Sequence, residues 1–381
     1  MGVRDLRLVA AGAALALAFA VAAGPAIPAE ASSGEVVIAV TTGSGLQVGK
    51  QANDSPWQIQ TVATGLYGQP SVAIESNGNI VIAAVFLTGS YRGTLYYFWQ
   101  APGSTVWHRQ QVSAKAAAAP LVPPSIAAQH GNPGAAADTV IVAQNATGTG
   151  SAYYWQQIGT APWHTEAIPT VNGTAAAPNV SVDSQNTSVV SFATPKGFGL
   201  DRQAYASATW ETVQEVYPGG ARQGVAAADE NDGRIVVSAT TPVSDQLNFY
   251  WNSTGKVSGW AGQNLPWQAD DQSAMAVNAA EHNVTIAAYD PSFSSGECIS
   301  TYTQDDGSSS WHRQAYITCP GWGGNADVAI AAQSSGGLVM TSIDSSDVVD
   351  FYAAAPGGST WSVTRITGIS FPMDTPAIAA N

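Results

Sequence analysis

Apolar and polar positions in this chain alternate in short runs, most of them four to nine residues long. Turn residues punctuate them, and none is long enough for an extended helix. From residue 70 the runs read PSVAI (70–74), IVIAAVF (80–86), TLYYFWQ (94–100) and VWHRQQV (106–112). Gly, Pro, Asn and Ser lie between them. Runs of this length, rich in Val, Ile, Tyr and Trp and bounded by such residues, predict strands joined by tight turns.

The same four-run unit returns along the chain. It reads PSIAAQ, TVIVAQ, SAYYWQQ and PWHTEAI, then PNVSVD, SVVSFAT, LDRQAYA and WETVQEV. It continues as QGVAAAD, RIVVSAT, QLNFYWN and GWAGQNL, then AMAVNA, NVTIAAY, CISTYTQ and SWHRQAYI, then DVAIAAQ, GLVMTSI, VVDFYAA and TWSVTRI. One Trp opens each fourth run. Trp57, Trp107, Trp163, Trp210, Trp260, Trp311 and Trp361 are separated by 50, 56, 47, 50, 51 and 50 residues, one structural unit per period.

Two half-units remain at the ends. EVVIAV (35–40) is a second strand with no first strand before it, and TPAIAAN (375–381) is a first strand with nothing after it. Together they complete one unit. A linear stack would need polar caps, whereas a ring closed by its termini needs none. The expectation is an all-β fold: a seven-bladed β-propeller of four-stranded blades in residues 32–381. In it, strand 375–381 completes the blade begun at 35–62. First strands are Ala-rich, as crowding around an axis requires. Second strands are apolar on both faces, as blades packed on both sides require.

Residues 1–31 predict a secretion signal. Arg4 and Arg7 precede an apolar stretch from Leu8 to Ala23, and Ala29-Glu30-Ala31 is a small-residue cleavage site. Removing them leaves the net charge of −14 unchanged, because two Arg, one Asp and one Glu go together. An acidic surface disfavours nucleic acid and anionic lipid. No later segment has the length and apolarity of a membrane span. In an exported chain, Cys298 and Cys319, at matching ends of one hairpin, predict a disulfide.

Motifs for chemistry are sparse. There is no G-x-S-x-G elbow, no HExxH and no phosphate-binding loop. Asp229-Glu230-Asn231-Asp232-Gly233 is acidic but breaks the spacing of a helix–loop–helix calcium site, and reads as a turn. No cofactor or metal is expected. Three His follow a fourth-strand Trp directly: His108, His164 and His312. Neighbouring strand residues point to opposite faces, so if the Trp fills the space between blades its His looks the other way.

The stretch LYYFWQAPGSTVWHRQQV, followed by PSIAAQ, resembles the repeats of secreted bacterial propellers. It is similar to those of the seven-bladed fucose/galactose-binding lectin family. The resemblance is good in units two, three, six and seven. It implies sugar pockets between blades, with glycans or cell-surface polysaccharide as partners, and it makes Trp99, Trp155 and Trp251 the aromatic candidates beside His108, His164 and His312. Thr303 and Ala353 stand at the matching third-strand positions of units six and seven. Thr303-Gln304-Asp305-Asp306-Gly307 before Trp311 also resembles the Asp box of sialidase-type propellers, one residue too long. That likeness keeps a glycan-cleaving enzyme open beside the lectin, with a protein-binding scaffold as a third reading. The sialidase pattern of three clustered Arg with a Tyr/Glu pair is not found.

Overall fold

The computed structural model describes residues 34–381, except 130–137, 158–161, 170–175, 183–185, 195–196, 206, 208, 217–225, 230–233, 241–245, 253–258, 269–272, 290–296, 306–307, 309, 319–327, 345, 370–371 and 373–374. It is a seven-bladed β-propeller of four-stranded antiparallel sheets, each in simple sequential order. Blade 1 runs from the axis outward as Ala377–Ala380, Glu35–Thr42, Gly45–Ala52 and Gln58–Thr64. Blade 2 is Ser71–Ile74, Ile80–Phe86, Thr94–Gln100 and His108–Gln111. Blade 3 is Ser125–Ala128, Asp138–Gln144, Ser151–Gln157 and His164–Ala167. Blade 4 is Ala176–Val182, Ser188–Thr194, Gly197–Gln203 and Glu211–Val216. Blade 5 is Ala226–Asp229, Ile235–Thr240, Gln246–Trp251 and Ala261–Gln268. Blade 6 is Ser273–Asn278, Asn283–Tyr289, Glu297–Asp305 and His312–Thr318. Blade 7 is Val328–Ala332, Leu338–Ile343, Val349–Ala354 and Trp361–Ile366.

The termini close the ring as the half-units predicted. Val36 pairs with Ala380 and Ala39 with Ala377, so the C-terminal strand is the innermost strand of blade 1. The innermost strands touch one another around the whole circle, including the seam between blades 1 and 2. Two serines knit part of that circle: Ser71 Oγ accepts the Ile126 N–H at 3.1 Å, and Ser125 Oγ accepts the Val180 N–H at 3.0 Å. Around the axis, the starts of these strands enclose a cavity of about 330 Å³ edged by Pro70, Pro124, Pro178 and Pro376.

Second strands are buried from end to end where they were expected to be, as Ile80–Val85 and Ser188–Thr194 show. The core is divided into inter-blade layers, and each of the seven layers holds one fourth-strand Trp. Each Trp leans on the preceding blade. Trp57 meets Phe351 edge-on at 5.0 Å, Trp163 meets Tyr97 at 5.1 Å, and Trp210 meets Tyr153 at 5.0 Å. Trp311 meets Phe249 at 4.5 Å. Such edge-to-face pairs add about 0.5–1.5 kcal/mol each beyond the apolar area they cover. The 50-residue period of Trp is therefore the period of blade-to-blade contact.

Local differences from the sequence reading have local causes. The third strand of blade 4 is Gly197–Gln203, ahead of the predicted LDRQAYA. Gly199 allows that strand to lie against the Phe192 ring, which a Cβ would strike. The fourth strand of blade 5 begins at Ala261 rather than at Gly259. Residues 1–31 and the turn 230–233 lie outside the described residues, as does Cys319. The hairpin register pairs Glu297 with Thr318 and shifts between Glu297 and Ile299, at Cys298. The Asp306-Gly307 step of the blade 6 turn also lies outside. Among the described residues, no helix is long and apolar enough to cross a membrane.

Candidate functional site

Antiparallel order puts the turns between third and fourth strands on one rim of the ring. The turns between second and third strands lie on the other, with the crossovers to the next blade. The clefts between neighbouring blades are bordered near the first rim by the end of each third strand and the start of the fourth. Cross-strand register defines what lines them. Trp99 lies opposite His108, Trp155 opposite His164, Trp251 opposite Ala261, and Thr303 opposite His312. The same position is Lys50 in blade 1, opposite Gln58, and Ala353 in blade 7, opposite Ser362. In blade 4 it is Arg202, opposite Glu211.

Two of the three candidate Trp residues meet a candidate His. The Trp99 and His108 rings stack at 5.0 Å and 22°, and Trp155 and His164 stack at 4.0 Å and 14°. In each case the His is exposed and the Trp half-buried. Trp99 also stacks on Tyr97 at 5.5 Å, the residue two positions back on the same strand face. Trp251 and His312 do not meet. Trp251 faces blade 6, stacked on Phe249 at 5.7 Å, whereas His312 belongs to blade 6 and lies opposite Thr303. The fourth-strand Trp and the His beside it look to opposite faces, as strand geometry demands. Trp107 packs with blade 1 residues, while His108 stacks on Trp99, which packs in the layer with blade 3.

A set of polar residues missed in the sequence runs through the same crevices. Three positions after each fourth-strand Trp stand Gln60, Gln110, Glu166, Gln263, Gln314 and Thr364; only blade 4 has an apolar residue there, Val213. The end of the next blade's third strand supplies Gln100, Gln156, Gln203 and Gln304. Between blades 1 and 2, Gln60 Oε1 accepts from Gln100 Nε2 at 3.0 Å and from the Trp107 indole N–H at 3.2 Å. Lys50 Nζ donates to Gln100 Oε1 at 2.7 Å in that crevice. Between blades 2 and 3, Gln156 donates to Gln110 at 3.3 Å. Between blades 3 and 4, Glu166 takes three donors: Gln203 Nε2 at 2.8 Å, Trp210 Nε1 at 3.2 Å and Trp155 Nε1 at 3.4 Å. The signal was present in the sequence, because a polar residue recurs at one offset from the repeating Trp.

Between blades 5 and 6 the same three positions hold Gln263, Gln304 and Trp311, and there the arrangement differs. Gln263 Oε1, both amide atoms of Gln304 and Trp311 Nε1 are buried without a hydrogen-bond partner.

Several arginines are engaged within their own blades. Arg109 and Arg313 stand at matching places in blades 2 and 6, but Arg109 lies over the Tyr96 ring at 5.0 Å, two strand positions from its register partner Phe98, and Arg313 over the ring of its register partner Tyr302 at 5.9 Å. Arg365 bridges Asp344 and Asp350 in blade 7. Burial raises the Asp350 carboxyl above the ordinary range; Arg365 opposes the rise and Asp344 adds to it. Burial also pushes the neighbouring Tyr352 hydroxyl up to about 12. Among the described residues, no group of three or more His, Cys, Asp or Glu is placed to hold a metal ion.

No protein-family model matches this chain, and no curated protein matches it in sequence. Solved structures do match. A putative 6-phosphogluconolactonase from Bacteroides uniformis aligns with a TM-score of 0.59 at 9% identity, over 92% of this chain and 100% of that one. AofleA from Arthrobotrys oligospora aligns with a TM-score of 0.51 at 11% identity, over 82% of this chain and 88% of that one. The fucose-specific lectin from Aleuria aurantia aligns with a TM-score of 0.50 at 12% identity, over 90% and 99%. At these identities the likeness establishes the propeller fold and stops there.

Proposed function

We propose that this protein is an exported, lectin-like propeller that recognises glycans in the crevices between its blades. The observation that carries the reading is the repeated crevice itself, with its pairing of an indole and planar amide side chains. A sugar ring has apolar C–H faces and a rim of hydroxyls. An indole face suits the first, and Gln, Glu and indole N–H groups suit the second. The same pairing is written around the ring with variations, such as Lys50 in one crevice and Glu166 in another. Several such sites on one rim would gain avidity on a glycan-coated surface.

The fold neighbours lend support, since one of them is named a fucose-specific lectin. The basic and apolar pattern of residues 1–31 supports export, which brings the protein to where cell-surface polysaccharide is found. The test is a glycan array probed with folded protein, with and without calcium. Selective binding competed by a free sugar supports the reading. Absence of binding to any glycan by protein shown to be folded overturns it.

A further inference from the structure

The rim opposite the crevices carries a surface that glycan binding does not use. The crossover from blade 2 to blade 3, between Gln111 and Ser125, is the longest of the seven; the one from blade 1 to blade 2 runs only from Thr64 to Ser71. It travels from the outermost strand of one blade to the innermost strand of the next, so it crosses this rim as a radial ridge. Hydrogen bonds fix its course. Ala116 N–H donates to Arg92 O at 3.2 Å and Ala118 N–H to Gly93 O at 2.9 Å, just after the short turn Gly89–Tyr91 of blade 2. Ala119 N–H donates to Gln144 O at 2.8 Å and accepts no slack from blade 3, where Ala146 N–H donates to Ala117 O at 3.1 Å. The fit is close. A Cβ at Gly93 would meet Ala118 O at 2.7 Å, and Ala116 adopts a φ of 56°, where residues other than glycine are uncommon. A loop pinned this firmly, and strained at a non-glycine residue, is a positioned element.

What the ridge positions is exposed. Leu121 is 81% exposed, more than any other large apolar side chain among the described residues, and Tyr91 is 44% exposed. Lys115 Nζ lies over the Tyr91 ring at 4.0 Å, and Arg92, next to Tyr91 in the chain, is exposed as well. Neither cation has a carboxylate partner among the described residues, and residues 87–93 and 112–124 contain no Asp or Glu. Two unneutralised cations side by side are out of keeping with a chain of 13 Lys and Arg against 27 Asp and Glu. At its inner end the ridge reaches the axial cavity, which Leu121, Pro123 and Pro124 help to line. Among the described residues, no charged or aromatic side chain lines that cavity.

We propose that this ridge docks an acidic, extended segment of a partner protein. Carboxylates of the segment pair with Arg92 and Lys115, and an uncharged aliphatic residue packs on Leu121 at the edge of the axial cavity. Charge complementarity sets the sign of the partner, because like charge placed over the two cations would be repelled. Leu121 sets its class. A sugar's hydroxyl rim gains nothing from an exposed aliphatic side chain, whereas an apolar residue of a peptide removes it from water. Tyr and Arg beside it are residue types enriched where proteins meet. The ridge lies on the rim away from the third-to-fourth-strand turns, so this docking is independent of the glycan-binding reading.

The experiment is fluorescence anisotropy of three labelled probes titrated with the folded protein at low salt: a short random copolymer of Glu and Leu, poly-L-glutamate and oligogalacturonate. The copolymer should bind at least about fivefold more tightly than poly-L-glutamate, and oligogalacturonate more weakly than the copolymer. Arg92→Glu combined with Lys115→Glu should weaken the copolymer by at least about tenfold. Leu121→Ser should weaken the copolymer by about fivefold and leave poly-L-glutamate unchanged. All three positions are exposed, so Tm should stay at the wild-type value in each variant. A copolymer that does not bind, or that binds these variants as it binds the wild type, overturns the proposal. Oligogalacturonate bound as tightly as the copolymer, and lost in the same charge variant, would make the ridge a site for acidic polysaccharide and overturn the assignment to a protein partner.

Discussion

Trp155 and His164 lie face to face across the two outer strands of blade 3, their ring centres 4.0 Å apart and their planes 14° from parallel. The pair places a half-buried indole beneath an exposed imidazole, so the His acts as a lid on the Trp. His164→Ala should cost about 0.5–1.5 kcal/mol of stability, the usual worth of such a stack. It should also open Trp155 to solvent. Acrylamide quenching of Trp fluorescence should rise in the variant, and the rise should be absent when Trp155 is replaced by Phe.

Glu166 gathers three donors from two blades, and its replacement separates acceptor from charge. Glu166→Ala leaves the Gln203 amide and the Trp210 indole N–H without their acceptor and should cost about 1–3 kcal/mol. Glu166→Gln keeps an acceptor oxygen, the arrangement found at Gln60, and should cost less than about 1 kcal/mol. Thermal melting of the two variants gives the comparison. Equal losses would mean that the charge, and not the acceptor, holds the blades together.

Much of the fold was legible in the sequence because the repeat is written in large aromatic residues. TLYYFWQ reads as the third strand of blade 2 and is one, Thr94–Gln100, to the residue. LDRQAYA of blade 4 has a single ring, Tyr205, near its end, and the strand lies three residues earlier, beginning at Gly197. The candidate site was legible only in outline. Sequence spacing puts Trp99 beside His108 across a hairpin, but the link from Gln60 to Trp107 crosses from one blade to the next. That link depends on how neighbouring sheets settle against each other, which no strand pattern records.

Ring closure rests on a short strand. Ile378 pairs with Ile38 and is 9% exposed, within the layer between blades 7 and 1. Ile378→Ala should cost about 2–5 kcal/mol, the range for removing a large buried side chain. Deleting residues 376–381 should cost far more, because it uncovers the inner edge of Glu35–Thr42. Circular dichroism melts of the two variants should fall in that order. A deletion that melts like the wild type would show that the ring does not depend on its last strand.

Asp350 sets a pH dependence of definite sign. Its folded pKa is raised, chiefly by burial, so the folded protein holds that proton more tightly than the unfolded chain does. Ionised Asp350 therefore costs stability above its folded pKa, and the cost is relieved as the pH falls through that value toward the unfolded one. Asp350→Asn removes the ionisation and leaves Asp344 to pair with Arg365. The variant should melt higher than the wild type at neutral pH, with the difference shrinking in acid. A difference that grows in acid would reverse the sign.

The central claim is that the crevices between blades bind glycans, and a glycan array probed with folded residues 33–381 tests it most directly. The account predicts selective binding of glycans, displaced by the free sugar. Folded protein that binds no glycan, with or without calcium, would contradict it.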